Sequence, residues 1–522
     1  MIPDAADARG WRSATRILLV PGLCAVALAV QQTWLCSLIT GGGSEFPLTM
    51  LYQVGWTALI LLALLIALLR RPAWLWTLVG LTLLFQFIVV GYWVYTGRPL
   101  PPSLLLLHAG EAQQGVGLAG IEWDWRALIP LCVLPPAFLG WRALYRHRDS
   151  LPIRRRTLIG AAAIPLIGLL VIGHLQHVAI WINAQSTARS VRGLGVCGWW
   201  MQLAITNLRM GDVKLIPIAK TLATPEPGIR RKIVVIQWES LDAGIPGYTC
   251  GADLVAPNLT RLAAHAWRAP RIRAEHLAGA SSDADCAFTL AIPAQAEWPA
   301  LQSRRFDPSV GIGHSFRSRN LRAVAYHNNV GTFFERGDIY PTLGFERFAD
   351  MAALGLSREI WGAPDHKLFP AIRADWDQHG QPDLSFVITL SGHHPFTMPR
   401  RYGVQLPEFP QATSDHERAY LQSIWYTDQA IGAFIDAIDL STTWVMIYGD
   451  HPPGIPQDRR DRDPNRLPGR YLDATEVTAN GLREFVPLII VGPRQQAGDP
   501  MPWSIDGHLD LKAACLALAL GE

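Results

Sequence analysis

Five apolar stretches, at about residues 15–36, 48–69, 73–95, 127–145 and 157–181, occupy the first part of a 522-residue chain, and none has a charge near its middle. Each is close to the roughly 20 residues that a helix needs to cross a hydrocarbon layer of about 30 Å. A backbone in hydrocarbon must satisfy its own hydrogen bonds, so such stretches can span only as helices. The rest of the chain lacks runs of this kind. Half of all residues are hydrophobic and only 17% are charged, and mean hydropathy is positive. That balance suits a helical membrane part joined to an ordinary globular part.

The arginines orient it, because short loops rich in Lys and Arg stay on the cytoplasmic side. Arg9, Arg12 and Arg16 precede the first stretch, Arg70 and Arg71 follow the second, and Arg142, Arg146, Arg148, Arg154, Arg155 and Arg156 lie in the turn before the fifth. The alternate loops are poor in cations: 37–47 has none, and 96–126 has only Arg98 and Arg126. Five spans with the N-terminus inside put everything after about residue 182 outside. A cleaved signal peptide is the alternative for the first stretch, but no small-residue cleavage site follows it and four more stretches do. With a net charge of +3 and the cations gathered beside the apolar stretches, the chain has no nucleic-acid footprint.

Cys197, Cys250, Cys286 and Cys515 would lie on the exported side. An oxidising compartment would permit a disulfide there, and Cys250 with Cys286 is the first pair to consider. Their spacing does not suggest zinc. Residues 182–229 read as a juxtamembrane connector: Gly193 to Met201 is apolar and aromatic, as at a headgroup layer, and Thr221 to Gly228 reads as a linker. The domains are therefore expected at 1–181 (membrane), 182–229 (connector) and 230–522.

From Arg230 onward strand-like and helix-like patterns alternate, which predicts an α/β domain with a mainly parallel sheet. Three buried strands run into polar residues: Ile233–Ile236 before Glu239, Phe386–Leu390 before His393, and Trp444–Tyr448 before Asp450 and His451. The ends of such strands are where an open α/β sheet keeps its chemistry. Helices are expected from Pro257 and over 419–438, the latter burying Ile424, Ala430, Ile431 and Phe434, with Asp428 a structural polar contact. In Gly279 to Asp285, Ser282 and Asp285 fit a capping box, so a helix should begin there with its amides toward an incoming phosphate. Ser281 is either a cap or a nucleophile on this pattern. Carboxylates at two strand ends, an imidazole and a hydroxyl could meet on one divalent cation, Mn²⁺, Mg²⁺ or Zn²⁺, which would make Ser281 nucleophilic at neutral pH.

Taken in order, these pieces resemble the lipoteichoic acid synthase and periplasmic-glucan phosphoglycerol transferase family of the alkaline phosphatase/sulfatase superfamily. The matching segments are Trp238-Glu239-Ser240, Pro257-Asn258-Leu259, Gly279 to Asp285, His327 through Phe334 to Asp338, Ser391 to Phe396, Tyr426-Thr427-Asp428, Gly449-Asp450-His451 and Asp506 to Leu511. The resemblance implies an alkaline-phosphatase-like catalytic domain after about five spans. It implies that Glu239, Ser281, Asp450 and His451 hold one metal ion, Mn²⁺ ahead of Mg²⁺ or Zn²⁺. Ser281 would take the phosphoryl group, Arg336 would hold a phosphate oxygen through its fork of donors, and His393 would bind phosphate or move a proton. His327, Phe334 and Asn329 would contact substrate; His394, Asp283 and Asp285 would be structural. Serine stands where threonine is common, Phe334 where tryptophan is usual, and Asn329 where an acidic headgroup contact is often found. The last two departures bear on the headgroup, not on the metal or the nucleophile.

The expected reaction is transfer of phosphoglycerol from phosphatidylglycerol to a glycan or glycerol-phosphate acceptor outside the cytoplasmic (inner) membrane. Phosphoethanolamine transfer and phosphodiester hydrolysis are the alternatives. A sulfatase would need a Cys-x-Pro-x-Arg segment, which neither Cys250 nor Cys286 begins, and a non-catalytic scaffold would have lost a metal ligand.

Overall fold

The computed structural model describes residues 214–521, apart from breaks at 219, 226, 296–297, 360–361, 395, 398, 403, 413, 454–474, 479–480 and 494–498, together with Leu23 and parts of 76–90 and 131–146. The chain divides into two compact units, Met1–Leu100 with Glu122–Gln202, and Pro101–Ile121 with Leu203–Glu522. In the first, a helix runs over Leu134–Arg146, and Trp76 packs edge-on against Trp141 at 5.8 Å and, tilted, against Phe138 at 6.3 Å. The third and fourth apolar stretches therefore touch. No helix among the described residues is long and apolar enough to cross a membrane; most of the five stretches, and the aromatic segment 193–201, lie outside them.

The second unit is built on an eight-stranded sheet. Its strands are β1 (Lys232–Trp238), β2 (Trp267–Arg273), β3 (Ala323–His327), β4 (Arg347–Ala349), β5 (Leu384–Ile388), β6 (Thr443–Gly449), β7 (Thr475–Thr478) and β8 (Gly481–Val491). The spatial order is β2-β8-β6-β1-β5-β3-β4, with β7 paired to β8. From β6 to β4 all neighbours are parallel, whereas β8 runs antiparallel to β6, β2 and β7. The mainly parallel sheet expected from the sequence is present, and so are the three strands named from it, β1, β5 and β6, each within two residues.

Helices cover both faces, which is why β1 is apolar on consecutive positions rather than alternate ones. Ile233 and Val235 point to one core, with Phe288, Phe386 and Leu518. Val234, Ile236 and Trp238 point to the other, with Leu259, Phe369, Ile424 and Phe434. The principal helices are α1 (Pro257–Ala263), α2 (Ser281–Leu290), α3 (Arg336–Thr342), α4 (Asp365–His379), α5 (Asp415–Asp436) and α6 (Leu511–Leu520). The expected helix at 419–438 is α5, with Ile424, Ile431 and Phe434 buried. Asp428 has a structural role: Oδ2 accepts from the Asn258 amide at 2.9 Å and Oδ1 from the Leu259 amide at 2.8 Å, capping α1 from α5.

Two expectations fail here. Cys250 and Cys286 are both free and buried, and they lie in different cores on opposite faces of the sheet, so they cannot pair. The capping box is also absent. Ala280, at φ 48°, is the cap residue of α2, with no side-chain cap; the Ser282 hydroxyl donates back to the Gly279 carbonyl, and Asp285 turns away into the core. The amides of Ser282 and Asp283 donate to the carbonyls of Gly279 and Ala280, so they are not presented to a phosphate.

The segment before the sheet is docked on this unit. Leu215 and Ile218 donate their amides to the Arg305 and Ala291 carbonyls, the Thr224 hydroxyl reaches the Ala517 carbonyl at 2.8 Å, and Lys220 pairs with Asp510 at 2.9 Å.

Candidate active site

Register places the key residues. Trp238 of β1 pairs with Gly449 of β6, so the next residues of each strand, Glu239 and Asp450, leave the sheet side by side. The Glu239 amide is tied to the Thr389 hydroxyl beyond β5 at 2.9 Å, and Ser240 adopts φ 61° as the chain turns away. Two amides, of Ser240 and His451, hold Asp450 Oδ1 at 2.7 Å each. Its Oδ2 is buried with no hydrogen-bond partner.

Ser281 opens α2 after a turn that Asp283 fixes: its Oδ2 accepts the amides of Leu277 at 2.6 Å and Gly279 at 3.0 Å. The Ser281 hydroxyl donates to Glu239 Oε2 at 3.1 Å and lies 3.2 Å from His451 Nε2. His451 Nδ1 donates to the Pro452 carbonyl at 2.8 Å. That bond puts the proton on Nδ1 and turns the lone pair of Nε2 toward Glu239 and Asp450, each 3.5 Å away. Glu239, Asp450 and His451 each offer a ligand atom within 4.8 Å of the others. Thus the structure brings all four expected metal ligands together.

The donor set fits a divalent cation. Burial, reinforced by the Asp450 charge, pushes the Glu239 carboxyl well above its usual range. Two carboxylates crowded in a dry site, one with an unpartnered oxygen, are costly without a positive charge between them. Carboxylate, imidazole and hydroxyl ligands suit Mn²⁺, Mg²⁺ or Zn²⁺.

His393 lies on the loop after β5. A Cβ added to the neighbouring Gly392 would fall 2.3 Å from the Glu239 carbonyl, so only glycine lets that loop approach. Burial depresses the His393 pKa, and Nδ1 donates to the His394 carbonyl at 2.6 Å. Its Nε2 is then a proton acceptor at neutral pH. His327, at the end of β3, has the same form: burial and then Arg336 hold it well below its usual pKa, Nδ1 bonds the Ile388 carbonyl at 2.9 Å, and the buried Nε2 has no partner.

Arg336 departs from expectation. Its Nε and Nη2 donate to Asp285 at 2.7 and 3.3 Å, so two nitrogens of the fork serve a buried protein carboxylate rather than a ligand. The guanidinium also lies over the Phe334 ring at 4.9 Å, and Phe334 and Glu335 both take positive φ, 55° and 53°, to deliver it. Asn329 is buried and folds back, Oδ1 accepting its own neighbour's amide on Val330 at 2.8 Å; no contact with the carboxylate cluster is seen for it among the described residues.

Four features were missed. Gln237 Nε2 bridges Asp285 at 2.7 Å and the Ser281 carbonyl at 3.3 Å, and the Tyr448 hydroxyl donates to its Oε1. A glutamine within an apolar strand was the available signal. Asp365 gathers the amides of Leu390 and Ser391 and the Thr427 hydroxyl at 3.0 Å each, pinning the His393 loop to α4 and α5. His276 stacks on His451 with ring centroids 4.1 Å apart. His508 joins the Gly449 carbonyl at 2.8 Å to the Glu275 amide at 3.1 Å. Nothing in spacing marked Asp365 or His276, and His508 lay in the matching segment Asp506 to Leu511 without a role assigned to it.

Residues 231–521 match the sulfatase family model, which is more than half of the chain. The chain belongs to the sulfatase family. Among curated proteins it is similar to lipoteichoic acid synthase 2 of Bacillus subtilis, 24% identical over 273 residues, which cover 50% of this chain and 40% of that protein. It thus spans well under two thirds of that relative. Among solved structures, this sulfatase-family chain resembles the integral membrane protein lipooligosaccharide phosphoethanolamine transferase A from Neisseria meningitidis, with TM-score 0.53 and 13% identity over 92% of this chain and 89% of that one. It also matches the lipoteichoic acid synthase LtaP from Listeria monocytogenes, with TM-score 0.48 and 17% identity over 60% of this chain and 77% of that one. The α/β domain with a mainly parallel sheet expected after residue 230 is the one found.

Proposed function

We propose that this sulfatase-family chain is a membrane-anchored, metal-dependent phosphotransferase that moves the phosphoglycerol headgroup of phosphatidylglycerol to a glycan or glycerol-phosphate hydroxyl outside the cytoplasmic membrane. The observation that carries it is the Ser281 hydroxyl at hydrogen-bond distance from both Glu239 and His451, beside the unpartnered oxygen of Asp450. The five apolar stretches, and a fold shared over 92% of the chain with an integral membrane protein, support a membrane half. An N-terminus inside and a catalytic domain outside follow from the arginines. An anchored enzyme suits a donor that stays in the bilayer.

Glu239, Ser281, Asp450 and His451 would hold one divalent ion, Mn²⁺ being our first choice, which when bound would lower the pKa of the Ser281 hydroxyl. Ser281 Oγ attacks the donor phosphorus; the Oγ–P bond forms, the bond from phosphorus to the diacylglycerol oxygen breaks, and that oxygen takes the proton that the Ser281 hydroxyl gives up. In the second half the acceptor hydroxyl gives its proton to His393 Nε2 and its oxygen displaces Ser281 from phosphorus. His393 then returns that proton to the departing Ser281 oxygen, so both residues end each cycle as they began. Its depressed pKa keeps Nε2 unprotonated at neutral pH and so available to accept. Arg336 Nη1, Phe334, His327 and Asn329 are the proposed substrate contacts, with His327 Nε2 accepting a hydrogen bond from a substrate hydroxyl.

The test is intact mass of the full-length protein in mixed micelles with Mn²⁺ and either phosphatidylglycerol or phosphatidylethanolamine, for wild type and Ser281→Ala. A glycerol-phosphate adduct on wild type alone is expected. A phosphoethanolamine adduct would replace the proposed headgroup, and neither adduct nor released diacylglycerol from either lipid would overturn headgroup transfer.

A further inference from the structure

The antiparallel strands at one edge of the sheet carry two residues to the site that the parallel core does not supply. His276 follows β2, and Glu484 lies on β8, which pairs with it through Arg273 and Phe485. The His276 Nδ1 and Glu484 Oε2 atoms are 2.7 Å apart, with side chains only 11% and 9% exposed. The backbone around them is pinned as well. The Ala274 amide donates to the Glu484 carbonyl, the Glu275 amide to His508 Nδ1, and the Leu277 amide to Asp283. His276 can therefore move little. Its ring lies on that of His451, with centroids 4.1 Å apart and planes within 18° of parallel.

His451 needs such a support. One hydrogen bond, from Nδ1 to Pro452, sets its tautomer but leaves the ring free to swing about that contact. The other atoms near Nε2 belong to the cluster itself. A ring clamped face to face cannot swing without breaking the stack. Partners outside a metal's ligand set fix ligand orientation in this way, and losing them typically weakens metal binding about 10–100-fold.

From this geometry we infer that His276, anchored by Glu484, is a positioning residue that holds the His451 ring in its metal-binding orientation through the stack. The inference rests on the metal reading of the site given above. It also gives the antiparallel edge a function: β2 and β8 bring a clamp to a centre built from parallel strands.

The experiment measures Mn²⁺ alone, by calorimetric titration of the full-length protein in detergent, for wild type, His276→Ala and His276→Phe, with thermal melts to confirm folding. Both variants leave Glu484 without His276, so the difference between them isolates the stacked ring. His276→Ala should bind Mn²⁺ about 10–100-fold more weakly, and His276→Phe should recover most of that loss. Unchanged affinity in His276→Ala, or an equal loss in both folded variants, would overturn the clamp. A folded wild type that takes up no Mn²⁺ would sink the metal reading itself and the inference with it.

Discussion

Asp285→Ala should be among the most damaging single changes in the catalytic unit. Asp285 is wholly buried and Arg336 is 1% exposed. The carboxylate accepts from Gln237 at 2.7 Å, from Arg336 at 2.7 and 3.3 Å, and from the Tyr340 hydroxyl at 3.0 Å. Removing it strands a guanidinium in the core, and breaking a buried pair from one side costs about 3–5 kcal/mol. At about 2 °C per kcal/mol for a domain of this size, the apparent Tm should fall by about 6–10 °C. The exposed pair Arg261–Asp436, 2.9 Å apart with side chains 51% and 60% accessible, is the control; such pairs contribute about 1 kcal/mol or less, so Asp436→Ala should shift Tm by under about 2 °C. The assay is tryptophan fluorescence during heating of the full-length protein. Asp285→Ala/Arg336→Met should regain more than half of the lost stability, because an apolar pair can replace a buried ionic one at little cost, yet it should not regain the proposed transferase activity. Equal small shifts in Asp285→Ala and Asp436→Ala would refute the reasoning.

Other measurements test other parts of the site. In Gly392→Ala the new Cβ would lie 2.3 Å from the Glu239 carbonyl, so Glu239 must move and Mn²⁺ affinity should drop about tenfold or more by calorimetry; an unchanged affinity would show that the His393 loop yields instead. Burial holds the His508 pKa down at about 3. Its folded pKa lies below the unfolded value, so the neutral ring's contribution is complete above about pH 6.5 and is lost as pH falls toward 3, by up to about 5 kcal/mol over the window. His508→Gln should flatten the acid limb of a Tm-versus-pH curve between those values, and a limb as steep as wild type would contradict this. Chelation should lower Tm through mass action, a metal at about 100 times its Kd being worth about 2.7 kcal/mol; in Asp450→Ala the chelator should make little difference to Tm.

What could be read from the sequence was whatever leaves a local trace. A buried parallel strand is an apolar run, so β1, β5 and β6 were visible, and the polar residues just past them, Glu239, Asp450 and His451, are ones the fold brings together. Ser281 needed only its glycine turn and the start of α2. The errors share a cause of another kind, since each concerns which of several possible partners a polar or thiol group takes. Cys250 and Cys286 are compatible with a disulfide until the sheet is placed between them. Asp285 fits a capping box until Gln237, Arg336 and Tyr340 converge on it from elsewhere in the chain, and burying all four together outweighs one amide at a helix end that can be left in a turn.

His276 and Glu484 are the limiting case, because 208 residues separate them and no motif of either strand requires the other. Antiparallel pairing of β2 with β8 creates their contact, and that pairing is itself set by two cores burying opposite faces of one sheet. The primary site is thus encoded near each strand's end, whereas its supporting residues are encoded in the topology. A substitution at Asp450 should remove metal binding outright; one at His276 should grade it, and that contrast distinguishes a ligand from its clamp.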